Sequence, residues 1–307
     1  MTAPAAEVAV KEGVVVTRPG QPHVPGDQLL DTLRDWLACY AVFPSPAALD
    51  AVTLWVAHSW CRDEDGVLVF RATPRLYLLS SEPGSGKSKV LELLNLVCPA
   101  AFGLTIEPTA PGLVKTIGTE RATVFIDESD VLFGSGRRRE AVRAIVNAGY
   151  QRHGSYLYVS GSKATRIPVF GAMALAGLDV LETQTGDTLK ALLERGVKVR
   201  MRKAAGMMPA KVSRKTGDQA ARLKVFLEMW AAQERAALED AEPEVPEGIE
   251  GRDEEIWAPL LACADAAGGF WPDRARAACL ELALAMPAAG EISPAGELAA
   301  LAAEIGA

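Results

Sequence analysis

Residues 81–88 read Ser-Glu-Pro-Gly-Ser-Gly-Lys-Ser, the spacing of glycines, lysine and hydroxyl that a Walker A loop needs. Gly84 and Gly86 let the backbone turn tightly and aim its N–H groups at phosphate oxygens. A helix starting directly afterwards adds its N-terminal donors and dipole. Lys87 is then the group that meets the β- and γ-phosphates, and the Ser88 hydroxyl is a magnesium ligand. The expected nucleotide-binding stretch comprises Ser81, Glu82, Pro83, Gly84, Ser85, Gly86, Lys87, Ser88 and Lys89, with Ser81 standing where the motif usually has its leading glycine. About forty residues on, the apolar run Ala122-Thr123-Val124-Phe125-Ile126 ends in Asp127-Glu128. A carboxylate at the carboxyl end of a buried strand lies where open α/β sheets place ligand chemistry. Asp127 is expected to hold magnesium through water, and Glu128 to polarise the attacking water as general base. ATP and Mg2+ are the cofactors that the two motifs imply.

Hydrolysis also needs positive charge at the γ-phosphate in the transition state. Arg195 follows a helical stretch and precedes an apolar strand, a position from which ring-forming ATPases often reach the neighbouring subunit's site. Arg152 and the cluster Arg137-Arg138-Arg139 are rivals for that role. Arg252 opens a later helix and could sense phosphate from a lid, or form a plain interdomain ion pair. A polar sensor of the γ-phosphate is expected at the end of the strand Met173–Leu178. Ala176 and Gly177 occupy that region, which leaves Asp179 or no sensor.

These residues need a frame that brings them together. From Arg75 the pattern runs strand, turn, helix, strand: strands at 76–79, 123–126, 173–178 and 197–201, helices at 87–97, 138–150 and 188–194. Such alternation predicts an α/β fold with a mostly parallel sheet sandwiched by helices, and the paired Walker motifs with the candidate finger make the expected type a P-loop NTPase, AAA+-like. Residues 156–160 and 166–170 read as arms of a hairpin around Gly161-Ser162-Lys163. Prolines mark residues 1–26 as a mobile leader, and 27–70 carries two helices at about 29–37 and 47–60. The ATPase core occupies 71–215, and 216–307 reads as a C-terminal helical lid.

The net charge of −7 divides into −6 over residues 1–136, +11 over 137–215 and −12 over 216–307. A basic middle between acidic flanks fits a local anionic ligand, or opposite faces that meet when subunits assemble, and excludes a bulk basic nucleic-acid binder. The five cysteines are scattered without a Cys-x-x-Cys pair, and three histidines are too few for a histidine-rich metal site. With no apolar run near 18 residues and no secretion signal, the expected location is the cytoplasm, with no membrane partner.

Several segments resemble a family of uncharacterised P-loop proteins of bacterial chromosomes, plasmids and phages. They are Leu54-Trp55-Val56-Ala57-His58, Pro74-Arg75-Leu76, Asp127-Glu128, Asn147-Ala148-Gly149-Tyr150, Phe170 to Gly177, Trp257-Ala258-Pro259-Leu260-Leu261, Ala266-Ala267-Gly268-Gly269 and Trp271-Pro272, spanning Leu29 to Leu284. The chain departs from the pattern at Thr185-Gly186 and at Glu194, beside the proposed finger. Family members often accompany primase-like modules, which implies a helicase-like role in replicating mobile DNA.

The leading expectation is a homo-oligomeric ring that couples ATP hydrolysis to movement on DNA, with single-stranded DNA and replication proteins as partners. Lys163 at the hairpin tip, with Arg166 and Tyr156 or Tyr158 on its arms, would touch phosphates and bases. A simple edge hairpin with a solvated lysine is the alternative. A regulatory or defence-type nucleotide switch is the second function, and a small-molecule kinase the third.

Overall fold

The computed structural model describes residues 15–18, 21–129, 137–160, 162–178, 187–203, 206 and 209–284. Two short strands, β1 (Val15–Arg18) and β2 (Gln21–His23), pair antiparallel within the segment expected as a leader. The β-branched run Val15-Val16-Thr17 favours extended backbone despite the nearby prolines. Helix α1 (Gly26–Tyr40) buries Leu29, Leu30, Leu33, Trp36 and Leu37 at helical spacing. Helix α2 (Pro46–Trp60) starts where the Ser45 hydroxyl accepts the Ala48 N–H at 3.1 Å, with proline at its first position. Every residue of α2 except its two ends is buried.

The central elements follow as β3 (Arg75–Ser80), α3 (Lys87–Val97), β4 (Ala101–Thr105), α4 (Ala110–Gly118), β5 (Thr123–Ile126), α5 (Arg137–Ala148), β8 (Met173–Leu178), α6 (Asp187–Leu193) and β9 (Gly196–Arg200). Between α5 and β8 lie β6 (Ser155–Ser160) and β7 (Lys163–Pro168). The main sheet has the order β4-β5-β8-β3-β9, and all its pairings are parallel. Side chains alternate between its faces. Leu76, Leu78, Phe125, Ala174 and Val197 join the core with α1, α2 and α3. Tyr77, Leu79, Val124, Ile126 and Met173 join a second core with α4, α5 and α6. The α/β sandwich expected from the pattern is therefore present.

Strand β4 and helix α4 have no counterpart in the sequence reading. Strand β4 is a half-exposed edge with an irregular register between Ala101 and Leu104 and a left-handed Gly103 (φ +89°), so it lacks a clean period. Helix α4 carries Pro111 and Gly112 in its first turn and is capped by the Thr109 hydroxyl.

The last elements are α7 (Arg214–Glu239), α8 (Arg252–Ala267) and α9 (Trp271–Ala283). They share one apolar core with α1 and α2, so the two helical parts expected as separate units pack together. Gly26 is required there: a Cβ on it would lie 2.6 Å from the Ala267 Cα. Trp271 Nε1 donates to Asp27 O at 3.3 Å, and Arg274 pairs with Asp31 at 2.7 Å. Among the described residues no helix is long and apolar enough to cross a membrane.

Arg75, the first residue of β3, is fully buried. Its Nε and Nη2 donate to Val146 O at 3.1 and 3.0 Å, and its Nη1 donates to Gly171 O at 2.6 Å. It thus ties the last turn of α5 and the approach to β8 to the start of β3. Burial lowers its pKa to about 10. A side chain at Gly149 would collide with Val169 O, 2.2 Å from the added Cβ. These contacts give a packing reason for Pro74-Arg75 and for Asn147-Ala148-Gly149-Tyr150.

Candidate functional site

The connection from β3 runs toward β4, whereas that from β8 runs the opposite way, over β3 to β9. Adjacent strands β3 and β8 therefore form the switch point of the sheet, and ligands of open α/β sheets bind beyond the strand ends at such a point. The loop leaving β3 there is 81–86, and α3 begins at Lys87.

Gly84 and Gly86 both have left-handed backbone, with φ +77° and +93°. The space around them is open: a Cβ at Gly84 would have no atom within 4 Å, and at Gly86 only Met201 Cε, at 3.9 Å. Ser80 Oγ accepts the Glu82 N–H at 3.1 Å and donates to Glu82 O at 2.9 Å, which pins the start of the loop. Ser81, Glu82, Pro83 and Gly84 are exposed, whereas Ser85 is buried. Lys87 Nζ donates to Ser85 Oγ at 3.3 Å, so the lysine folds back over the loop. Ser88 is exposed in the first turn of α3. Lys89 pairs with Glu92 at 3.9 Å along the helix surface.

Strand β5 ends one strand beyond β8, about 10 Å from β3 at the usual spacing. Asp127 donates its N–H to Thr105 O at 3.1 Å, and Ser129 donates its N–H to Ala176 O at 2.8 Å. The acidic pair is thereby fixed to the ends of β4 and β8. Between these bonds Glu128 adopts φ +52°, a conformation costing on the order of 1–3 kcal/mol for a non-glycine residue. Its N–H donates to Asp127 Oδ1 at 2.9 Å, which orients that carboxylate, while the Glu128 side chain stands exposed. Ser129 Oγ is buried without a hydrogen-bond partner.

Asp127 and Ser88 could hold Mg2+. Among the described residues there is no cluster of three acidic, histidine or cysteine side chains. One carboxylate and one hydroxyl suit an ion that keeps several waters and takes its remaining ligands from phosphates.

Of the candidate arginines, Arg195, Arg252 and Arg152 lie toward the other end of the sheet. Gly196 pairs with Arg75, and Arg75 N–H donates to Arg195 O at 3.0 Å, so Arg195 is level with the start of β3. Its guanidinium stacks 5.1 Å from the Tyr150 ring centroid and donates to Ala191 O. Arg252 pairs with the neighbouring Glu194 at 3.4 Å, the interdomain ion pair weighed against a sensing role. Arg152 is engaged with Leu68 O at 2.6 Å and Asp63 at 3.5 Å. The side chains of Arg137 and Arg138, and the sensor candidate Asp179, lie outside the described residues.

Lys163 and Arg166 belong to the β6–β7 hairpin, whose base lies just before β8, where Val169 N–H donates to Gly154 O at 3.0 Å. In the β6–β7 hairpin Ser160 pairs with Lys163, so two residues make the connection and Lys163 begins the second strand instead of forming the tip. Tyr156 and Ile167 anchor the base of the hairpin on the core with α4. Lys163 is level with Ser160 and shares a face with Tyr158 and Thr165, whereas Arg166 sits opposite Leu157 on the other face.

Sequence reasoning missed Arg202 and Lys203. Met201 N–H donates to Leu79 O at 2.7 Å, so the chain leaving β9 emerges beside the loop, and both basic residues are exposed there. The run Arg200-Met201-Arg202-Lys203 at the end of an apolar strand was the available signal.

Residues 198–301 match a family model described as "Protein of unknown function (DUF3631)". That span holds the second half of β9 and the C-terminal helices, and stops short of residues 81–88. A stretch of 56 residues is 45% identical to an "Uncharacterized 28.9 kDa protein in xis 5'region" of Saccharopolyspora erythraea, covering 18% of this chain and 20% of that protein. The chain thus matches about one fifth of that relative's length, and its C-terminal third is similar to the DUF3631 family.

Proposed function

We propose that this chain is a P-loop ATPase of AAA+-like architecture, assembling into a ring and acting in a helicase-like way on the DNA of mobile elements. The observation that carries the reading is a convergence at one end of the sheet. The left-handed glycine loop delivers Lys87 and Ser88 at the start of α3, two strands from Asp127-Glu128. Loop N–H groups and Lys87 bind the phosphates. Ser88, and Asp127 through water, would hold a Mg2+ ion, which would supply neutralisation of the charge developing on the phosphate oxygens. Glu128 accepts a proton from the water whose oxygen bonds to the γ-phosphorus, as the bond from that phosphorus to the β–γ bridging oxygen breaks.

Assembly is supported by the exposed apolar residues Phe102 (57%), Leu104 (44%) and Ile106 (59%) at the open edge of the sheet. Arg195, one sheet length from its own loop, fits a finger acting on a neighbour. A DNA role draws on the exposed β6–β7 hairpin, the basic middle of the chain and the "xis 5'region" in the relative's name. The reading as a slow nucleotide switch is favoured by one observation: among the described residues, β8 closes on Ala176-Gly177-Leu178 with no polar side chain.

The experiment is ATP hydrolysis by the full chain, with and without single-stranded DNA. Stimulation by DNA supports the motor, and an indifferent rate supports the switch. Lys87→Ala should lose most ATP affinity, and Glu128→Gln should retain binding and lose turnover. Normal turnover by Glu128→Gln would remove Glu128 from the role of base.

A further inference from the structure

We infer that Arg202 and Lys203 bind the phosphates of the nucleotide held by their own chain, a role that rests on the ATP-binding reading above. The charge of a bound triphosphate exceeds what Lys87 and a Mg2+ ion would together match, and charge-assisted contacts to phosphate are among the stronger hydrogen bonds. Neither Arg195 nor Arg252 supplies it in cis, because both lie level with the start of β3. The parallel pairing of β9 with β3 instead carries the chain forward to the loop. Arg200 is level with Leu79, and Met201 reaches within 3.9 Å of a Cβ built on Gly86. The next two residues are Arg202 and Lys203. Both are exposed at the mouth of the loop, and neither forms an ion pair with a described residue.

The test titrates the full chain with fluorescent ATP at low and high salt, comparing wild type, Arg202→Gln/Lys203→Gln, Arg202→Lys and Lys87→Ala. The double variant should bind ATP about tenfold more weakly or worse, with the larger loss at low salt. Its thermal midpoint should be unchanged, and Arg202→Lys should retain most of the affinity. Wild-type affinity in the double variant, with binding lost in Lys87→Ala, overturns the inference and leaves the nucleotide site standing. Loss of single-stranded DNA affinity with ATP affinity intact also overturns it, by moving the pair to DNA. A wild-type chain that fails to bind ATP, or Lys87→Ala binding normally, overturns the nucleotide reading and this inference with it.

Discussion

Glu128 and His58 represent two uses of a titratable residue in this chain. Glu128 is exposed on a strained backbone, with its own N–H spent on orienting Asp127. His58 is enclosed: its ring stacks on Phe70 with centroids 5.5 Å apart, its Nε2 meets Thr73 Oγ1 at 3.0 Å, and it has no solvent exposure. Burial pushes its pKa down to about 3, against about 6.5 in an unfolded chain. Because the unfolded state binds the proton more readily, His58 contributes stability in full above about pH 6.5. That contribution is lost as pH falls toward 3, by up to about 1.4 kcal/mol per pH unit. Urea unfolding of wild type and His58→Gln should therefore give a stability gap that narrows between pH 7.5 and 5. A constant gap would mean that the buried imidazole does not titrate as described.

At the scale of elements, the hairpin divides its charges. Directly paired residues share a face, so Lys163 lies with Tyr158 (45% exposed), and Arg166 lies with Leu157 and Val159. A strand of DNA on the first face would meet one cation and one aromatic ring. Lys163→Ala should then weaken single-stranded DNA binding and reduce its salt slope by about 0.7, while Arg166→Ala leaves both nearly unchanged. Fluorescence anisotropy at several salt concentrations measures this, with the DNA-free ATPase rate as control. Equal losses in the two variants would refute a one-faced contact. Helix α3 and strand β5 were legible to the residue, because a glycine loop, an apolar run and an acidic pair bound them locally. Strand β4 was not, since a bulged edge has no clean period. The hairpin register was misjudged by the length of its turn. Arg202 and Lys203 escaped notice because what brings them to the loop is a parallel pairing between strands more than a hundred residues apart in the chain.

For the whole molecule, the opposite placement of Arg195 and the loop makes any finger role intermolecular. Arg195→Ala should keep ATP binding and cut hydrolysis by roughly 10³-fold or more. Mixing it with Lys87→Ala should restore part of the activity, since one subunit then brings an intact loop and the other an intact arginine. Inactive mixtures of subunits shown to exchange would transfer the role to Arg152 or to Arg137–Arg139. Enclosing α2 between α1 and the C-terminal helices also sets a timetable for the newly made chain. Helix α2 ends at Trp60, whereas α8 begins only at Arg252. At about 5–20 residues per second, roughly 10–40 s of translation separate an apolar helix from the partners that cover it. Throughout that interval α2 lacks the C-terminal helices that complete its burial, so the nascent chain is a natural client for chaperones, and a ribosome stalled before α8 would release an aggregation-prone fragment.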